Sequence, residues 1–193
     1  MSYPELTTER LRLRAFAITD ADDLVRLAGE RVIAATTLNI PHPYTREYAE
    51  DFIGKRAAEL EAHKSVVFAV ALIETGEFLG AAGLQLELEH SRAELGYWIG
   101  RPHWGSGYAT EAAGAVLQYA FRDLKLNRVF AGHFAANPPS GRVLEKIGML
   151  REGTLLQHVE KWNSFEDIVI YAVTRSEYEG GEGGGEKDGG ELS

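Results

Sequence analysis

The 193-residue sequence contains no cysteine and no apolar run approaching the length of a membrane-spanning helix. The absence of cysteine excludes disulfides, a thiolate nucleophile and metal sites built on cysteine. A bilayer requires about 20 consecutive apolar residues, and the N-terminal segment lacks the basic-then-apolar pattern of a signal peptide. We therefore expect a cytoplasmic protein with no membrane partner and no metal.

Acidic residues outnumber basic ones, and the excess is greatest at the C-terminus. Residues 177–193 carry six acids and one lysine (net −5), whereas residues 1–176 carry 23 acids and 19 bases (net −4). The mildly acidic body argues against a nucleic-acid partner. It is compatible with ordinary solubility and also with attraction of cationic amines. We expect one domain over residues 1–176 and a disordered, acidic, glycine-rich tail over residues 177–193.

Hydrophobic periodicity and turn residues predict the order βααβββαβαββ, a mixed α/β (α+β) fold without repeats. The predicted strands are 11–14, Ser65–Ile73, Phe78–Leu86, Arg92–Ile99, Arg128–Ala135, Leu150–His158 and Phe165–Val173. The predicted helices begin at an N-cap Thr19 and near Thr45, and span Thr110–Phe121 and Pro139–Lys146.

The most informative segment is Trp104-Gly-Ser-Gly-Tyr-Ala109, between an aromatic-rich strand and an alanine-rich helix. Its two glycines permit unusual dihedrals, and the helix N-terminus presents unpaired amides that favour a phosphate or diphosphate. A mononucleotide P-loop is excluded because no lysine follows either glycine, and a dinucleotide fingerprint fails because Thr110 occupies its third glycine position. The pattern [Gln/Arg]-x-x-Gly-x-[Gly/Ala], whose amides wrap the diphosphate of coenzyme A, fits except that Trp104 stands first.

A second motif, Asn137-Pro-Pro-Ser-Gly-Arg-Val-Leu-Glu-Lys-Ile-Gly-Met149, follows the predicted fifth strand. With the Trp104–Ala112 segment and the closing hairpin, it resembles the GNAT superfamily of acetyl-CoA-dependent N-acetyltransferases, in particular the RimJ/RimL-type branch. An aromatic residue in place of Gln or Arg is common in that branch. The resemblance covers about Leu6 to Glu177. It implies a mostly antiparallel seven-stranded sheet, about four flanking helices and a splay between strands 4 and 5.

The resemblance also implies how acetyl-CoA is held as co-substrate. Pantetheine would lie in the splay, a backbone N–H near Trp98 or Ile99 would serve the thioester carbonyl, and the glycine turn would bind the diphosphate. Core packing is the alternative for Tyr97 and Trp98, and helix capping for Asn137 and Ser140. The implied cofactor-binding residues are Tyr97, Trp98, Ile99, Trp104, Gly105, Ser106, Gly107, Tyr108, Ala109, Thr110, Asn137 and Ser140.

Catalysis by direct attack needs a proton acceptor for the amine and a proton donor for the departing thiolate. The resemblance implies Glu94 as general base and Ser140 as general acid. A solvent-facing charge is the alternative for Glu94. His133 is expected to be a core histidine, and Glu111 to favour its helix dipole. Three residues are expected near the mouth of the site: Glu87, Glu89 and His90.

Acceptor recognition is expected where an early loop faces the last hairpin. The candidate residues are Ile40, Pro41, His42, Pro43 and Tyr44 in the loop, and His158, Trp162 and Phe165 in the hairpin. A protein N-terminal amine is the first interpretation of the acceptor, and a small-molecule amine (polyamine, amino acid or aminoglycoside) is the second. A non-catalytic acyl-CoA-binding module is the alternative from another class. A homodimer is left open.

Overall fold

The computed structural model describes residues 3–182, which form one eight-stranded sheet in the order β1-β2-β3-β4-β5-β6-β8-β7. The strands are β1 (Leu6–Thr7), β2 (Leu11–Arg14), β3 (Ser65–Leu72), β4 (Phe78–Glu87), β5 (Arg92–Ile99), β6 (Arg128–Phe134), β7 (Leu150–Lys161) and β8 (Ser164–Thr174). The helices are α1 (Ala21–Ala28), α2 (Arg31–Thr36), α3 (Arg46–Glu61), α4 (Tyr108–Arg122), α5 (Pro138–Lys146) and α6 (Arg175–Glu182).

Helices cover both faces of the sheet, so its central strands are apolar on both sides. In β3, Phe68 and Val70 join a core with α4, whereas Ala69 joins a second core with α1 and α3. The alternation arises because successive side chains of a strand point to opposite faces. The long apolar run of β3 thus belongs to a doubly covered strand, as the sequence predicts.

Strands β5 and β6 form the sheet's one parallel pair among the described residues, and they separate almost at once. Their pairing runs from Arg92↔Arg128 to Glu94↔Phe130 and then stops. Each strand remains fully paired on its other side, β5 with β4 and β6 with β8. The predicted splay is confirmed, and it leaves two unpaired strand edges facing each other.

The mixed α/β fold is confirmed, with three differences in its elements. The sheet has an eighth strand because the two-residue β1 pairs with β2. The described residues form six helices and not about four, because α2 has too few turns to show an apolar period and most of α6 lies in the expected tail. Thr19 is not an N-cap, because it lies within a 3₁₀ turn (Ile18–Asp20) that precedes α1.

The first six residues of the tail expected at residues 177–193 are helical in the structure. Residues 177–182 belong to α6, and the Tyr178 ring stacks on Phe121 of α4 at 4.8 Å. This aromatic contact supplies the apolar burial that the glycine-rich composition lacks. The rest of the expected tail, residues 183–193, lies outside the described residues, and a single domain ending at residue 176 stays a prediction.

No described helix has both the length and the apolar character that crossing a membrane would require. Within residues 3–182 there is also no cluster of three side chains suited to holding a metal ion.

Replacement of Asp20 tests what anchors α1 to the sheet. Its buried carboxylate accepts two hydrogen bonds from Arg14, at 2.7 and 2.9 Å, and one from the amide of Ala17 at 2.8 Å. Asp20→Ala should lower the free energy of unfolding by about 3 kcal/mol, because it leaves a partly buried guanidinium unpaired. Urea denaturation measures this loss. Asp23→Ala, which removes an exposed pair with Arg26, should change it by less than about 0.5 kcal/mol.

Candidate active site

The gap between β5 and β6 opens into a cavity of about 630 Å³ that extends to the opposite face of the sheet. On the α4 side its lining includes Tyr97, His133 and Ser140, and on the α1–α3 side it includes Glu94 and Trp98. Alternation along β5 explains this division, because Tyr97 packs toward the α4 core and Trp98 toward the α1–α3 core. A molecule in the gap can therefore meet groups from both faces of the sheet.

The backbone of β5 offers hydrogen-bonding groups to the gap. The amide of Gly100 donates to Leu79 of β4 at 2.8 Å. Because N–H groups of a strand point alternately to its two neighbours, the amide of Trp98 also faces β4, and those of Tyr97 and Ile99 face the gap. Of the two amides expected near the thioester, the geometry favours Ile99 over Trp98.

Tyr97 and Ser140 form a hydrogen-bonded pair across the gap. The Tyr97 hydroxyl donates to the Ser140 carbonyl at 2.9 Å and lies 2.8 Å from the Ser140 Oγ. Burial raises the pKa of Tyr97 to about 12, although the Ser140 hydrogen bond lowers it. Tyr97 therefore stays protonated near neutral pH. The side chains of Asn137 and Ser140 do not cap α5, because no side-chain cap bond forms there and Ser140 is bonded to Tyr97.

Glu94 lies on the other face of β5 and receives no hydrogen bond or ion pair from any residue in the described range. Burial raises its pKa above the ordinary value of 4.5, and the nearby charge of Glu87 raises it further. A carboxylate with a raised pKa is a stronger proton acceptor. Glu94 lines the open cavity and is also exposed to solvent, so a solvent-facing charge stays the alternative interpretation of this carboxylate.

The glycine turn after β5 has the backbone conformation that its sequence predicts. Gly105 and Gly107 have φ of 79° and 83°, the left-handed region that disfavours a side chain. The turn is exposed, and α4 begins at Tyr108, so the first amides of the helix have no carbonyl partner within it. An anion such as a diphosphate fits these amides.

Trp104 has a structural contact that the sequence does not reveal. Its indole Nε1–H donates to the carbonyl of Ile99 at 2.6 Å and ties the turn to the end of β5. The nitrogen is therefore occupied, and the half-exposed ring face is the part of Trp104 left to contact a ligand.

The Acetyltransferase (GNAT) domain family matches residues 10–150 of this chain. The chain belongs to the GNAT acetyltransferase family. It is accordingly an acyltransferase, and the matched residues include the glycine turn and the splay between β5 and β6. An N-acetyltransferase of Bacillus licheniformis, p20, is 33% identical over 180 residues, covering 91% of this chain and 98% of the relative.

Solved structures show the same fold. A GNAT acetyltransferase from Bacillus anthracis is 28% identical with a TM-score of 0.80, covering 90% of this chain and 99% of that one. RimL, a ribosomal-protein α-N-acetyltransferase in complex with coenzyme A, is 16% identical with a TM-score of 0.81, over 89% and 98%. A chimera of the Vibrio cholerae spermidine N-acetyltransferase SpeG is 22% identical with a TM-score of 0.74, over 87% and 97%. The GNAT resemblance is confirmed, and toward the RimJ/RimL-type branch a putative ribosomal N-acetyltransferase of Bacillus subtilis, YdaF, is 34% identical over 110 residues, covering 56% of this chain and 60% of the relative.

Only some of the residues expected to recognise the acceptor line the cavity. Ile40, Tyr44 and His158 line the cavity. Trp162 borders a separate cavity of about 320 Å³, and Phe165 is exposed. Pro41, His42 and Pro43 do not line either cavity. The loop before β5 also stays outside the cavity, with Glu87 paired to Arg92 and Glu89 near His90.

The structure agrees with the structural roles expected for His133 and Glu111. His133 is buried, and its Nδ1 lies 2.8 Å from the Phe134 carbonyl. Glu111 accepts hydrogen bonds from the Thr8 hydroxyl and from Arg10. Burial would raise the Glu111 pKa, but these bonds and the Arg10 charge together lower it. Glu111 thus connects α4 to the N-terminal segment.

The sequence does not predict the contacts that Lys161 and Arg10 make around the site. The Lys161 ammonium donates to the carbonyls of Thr37 and Leu38 at 2.9 Å and of Ile40 at 3.2 Å, closing the hairpin over the cavity. Arg10 donates to the Ser106 carbonyl of the glycine turn at 3.0 Å. No local sequence pattern predicts these contacts, because the partners lie about a hundred residues away in the chain.

Glu94→Gln should increase stability at neutral and alkaline pH. Because the folded-state pKa of Glu94 is raised, its carboxylate form costs stability, and wild-type stability falls as pH rises through that pKa. The gain in Glu94→Gln should be absent below about pH 4, where the group is protonated in both folded and unfolded chains. Urea denaturation from acid to alkaline pH measures the difference. Glu89→Gln, at an exposed carboxylate, is the control, and an equal gain there would contradict the assignment.

Proposed function

We propose that this chain transfers the acetyl group of acetyl-CoA to a primary amine by direct attack in a ternary complex. The observation that carries the proposal is the open β5–β6 gap, which joins the Tyr97–Ser140 pair on one face to Glu94 on the other. The CoA complex of RimL, which shares this fold, supports coenzyme A as the nucleotide. The thioester supplies an activated acetyl group, and the chain supplies positioning and proton transfer.

The residues of the gap and the turn fit acetyl-CoA in distinct ways. The amides of residues 105–110 face the diphosphate, and the open edge of β5 can pair with pantetheine amides like an added strand. The amide of Ile99 can stabilise the oxyanion that develops at the carbonyl, an interaction worth about 3 kcal/mol in other enzymes. Asn137, at the start of α5 and free of capping, is left for the pantetheine arm.

Proton transfer is assigned to the two polar groups on either side of the gap. Glu94 takes the proton that the attacking nitrogen loses, directly or through one water. As the new C–N bond forms and the C–S bond breaks, Ser140 gives its hydroxyl proton to the departing sulfur. The Tyr97 hydroxyl, 2.8 Å from the Ser140 Oγ, turns from the Ser140 carbonyl and passes its proton to that oxygen, so that no free serine alkoxide forms, and the phenolate then regains a proton from solvent. No covalent intermediate on the protein is required.

A protein N-terminal amine is the acceptor that the cavity favours. Glu94 is the sole carboxylate among its described lining residues, and Arg56 adds a positive charge. A polyamine would bring a second ammonium group into a mostly apolar cavity with no second carboxylate. An α-amino group, with a pKa of about 8 against about 10 for a lysine-like amine, is also more easily neutralised by one base.

A small-molecule amine remains the second candidate, because the SpeG chimera shares the fold. The decisive assay is release of free thiol from acetyl-CoA in the presence of peptides with free N-termini, polyamines, amino acids and aminoglycosides. Turnover only with peptides supports the first candidate, and turnover only with one of the small amines overturns it. Binding of CoA without turnover on any amine would favour the non-catalytic module.

Glu94→Gln should lower kcat/KM for the best acceptor by about a hundredfold, because the site loses its proton acceptor. In the wild type, kcat/KM should rise with pH through the raised pKa of Glu94, and this limb should disappear in the variant. Steady-state kinetics across pH measures both effects. Glu89→Gln should retain the wild-type profile, and an unchanged profile in Glu94→Gln would exclude Glu94 as base.

Ser140→Ala should lower kcat by about tenfold, because the departing thiolate then depends on water for its proton. The dissociation constant for CoA should change by less than about twofold, since the amides of the turn are intact. Thiol-release kinetics and calorimetric titration with CoA separate the two quantities. Ser176→Ala, an exposed serine on α6, is the control; a Ser140→Ala enzyme with unchanged kcat would remove the acid role.

A further inference from the structure

The segment Thr8–Leu11 makes a contact with the glycine turn that the proposed chemistry leaves unexplained. The Arg10 guanidinium donates through Nη1 to the Ser106 carbonyl at 3.0 Å. Its Nε and Nη2 both lie 2.7 Å from Glu111 Oε2, in the first turn of α4. The guanidinium also covers the Tyr108 ring at 4.6 Å from its centroid. One side chain thus contacts the turn and the start of its helix.

Arg10 is itself held from two directions. Its amide donates to Glu111 Oε1 at 2.9 Å, and its carbonyl accepts from the amide of Ile73 at 2.9 Å. The Thr8 hydroxyl donates to the same Glu111 oxygen at 2.6 Å. The position of the guanidinium is therefore set by the sheet and by α4 together.

The hydrogen bond to Ser106 determines which way an amide of the turn points. In a trans peptide the C=O and the following N–H point in opposite directions. Because the Ser106 carbonyl points at Arg10, the N–H of Gly107 points away from it, toward the exposed side of the turn. Glycine at 107, with φ of 83°, imposes little barrier of its own against rotation of this peptide.

We infer that Arg10 is a positioning residue for the coenzyme A diphosphate, acting by holding the Ser106–Gly107 peptide with its N–H outward. Without this bond, the peptide can rotate and present the Ser106 oxygen to the diphosphate. An amide that attracts the anion would then be replaced by a carbonyl that repels it. Glu111 serves the same purpose by holding Arg10. This inference rests on the proposed function, because it assumes that the turn binds coenzyme A.

Calorimetric titration of the full chain with CoA, at fixed salt, tests the inference without an acceptor. Arg10→Met should raise the dissociation constant about tenfold, as expected for loss of one hydrogen bond to a charged group. Arg12→Met is the matched control: Arg12 lies two residues away in β2 and pairs with the exposed Glu5 at 2.8 Å, so it should change the constant by less than about twofold.

Arg10→Lys distinguishes orientation from charge. Lysine keeps the positive charge, but its single ammonium cannot reproduce the fork that bonds Ser106 and Glu111 together. Affinity close to that of Arg10→Met supports the inference, and affinity equal to wild type overturns it. Glu111→Gln should weaken binding by about threefold, and adding it to Arg10→Met should cause no further loss, because the two residues act as a unit.

Thermal unfolding shows whether each variant is folded. If Arg10→Met is unfolded, the test rests on Arg10→Lys and Glu111→Gln. Failure of the wild-type chain to bind CoA would overturn the proposed function. Binding by the wild type, with Arg10→Met within about twofold of it, would overturn this inference alone.

Discussion

The separation of β5 from β6 is the constraint on which the rest of the site depends. Both strands are satisfied on their outer edges, by β4 and β8, and they pair with each other only up to Glu94 and Phe130. Beyond that point two rows of backbone donors and acceptors face a gap. Unpaired backbone groups are costly when they are shielded from water, so the fold maintains an edge that an extended, amide-bearing ligand can satisfy.

The position of β5 between two helical layers explains how one strand serves two chemical roles. Its alternate side chains reach both faces, and the gap connects those faces. Glu94 consequently lines the cavity on one face, while Tyr97 holds Ser140 of α5 on the other. In the proposed transfer this division keeps the base Glu94 apart from the acid Ser140, so the two groups cannot neutralise each other directly.

The glycine turn depends on contacts made far from it in sequence. Trp104 binds the end of β5, and Arg10 binds the carbonyl of Ser106. The glycines allow the backbone to reach its conformation, but they do not select it, since glycine populates several regions freely. The neighbouring side chains supply the selection, and through the inferred role of Arg10 the N-terminal segment takes part in recognition of the nucleotide.

Local patterns in the sequence were sufficient for the strands, the long helices and the glycine turn. Period-two alternation and doubly apolar runs placed β2 to β8 closely, and α3 begins near Thr45 as predicted, with Thr45 as its N-cap in the structure. The motifs around Gly105 and Asn137 indicated the family because glycine dihedrals and free helix amides are properties of a few adjacent residues. The six-residue α2 is too short to show an apolar period, and residues 177–182 are helical where Tyr178 stacks on the distant Phe121, so local patterns predict neither element. The 3₁₀ turn at Thr19 also differs from the prediction, because Thr19 lies inside it and does not cap α1. The tertiary structure alone decided that Ile99 presents its amide to the gap, that Ser140 pairs with Tyr97, and that Arg10 and Lys161 hold the turn and the cavity. These contacts join residues far apart in the chain, and no spacing in the sequence encodes the distance between their atoms.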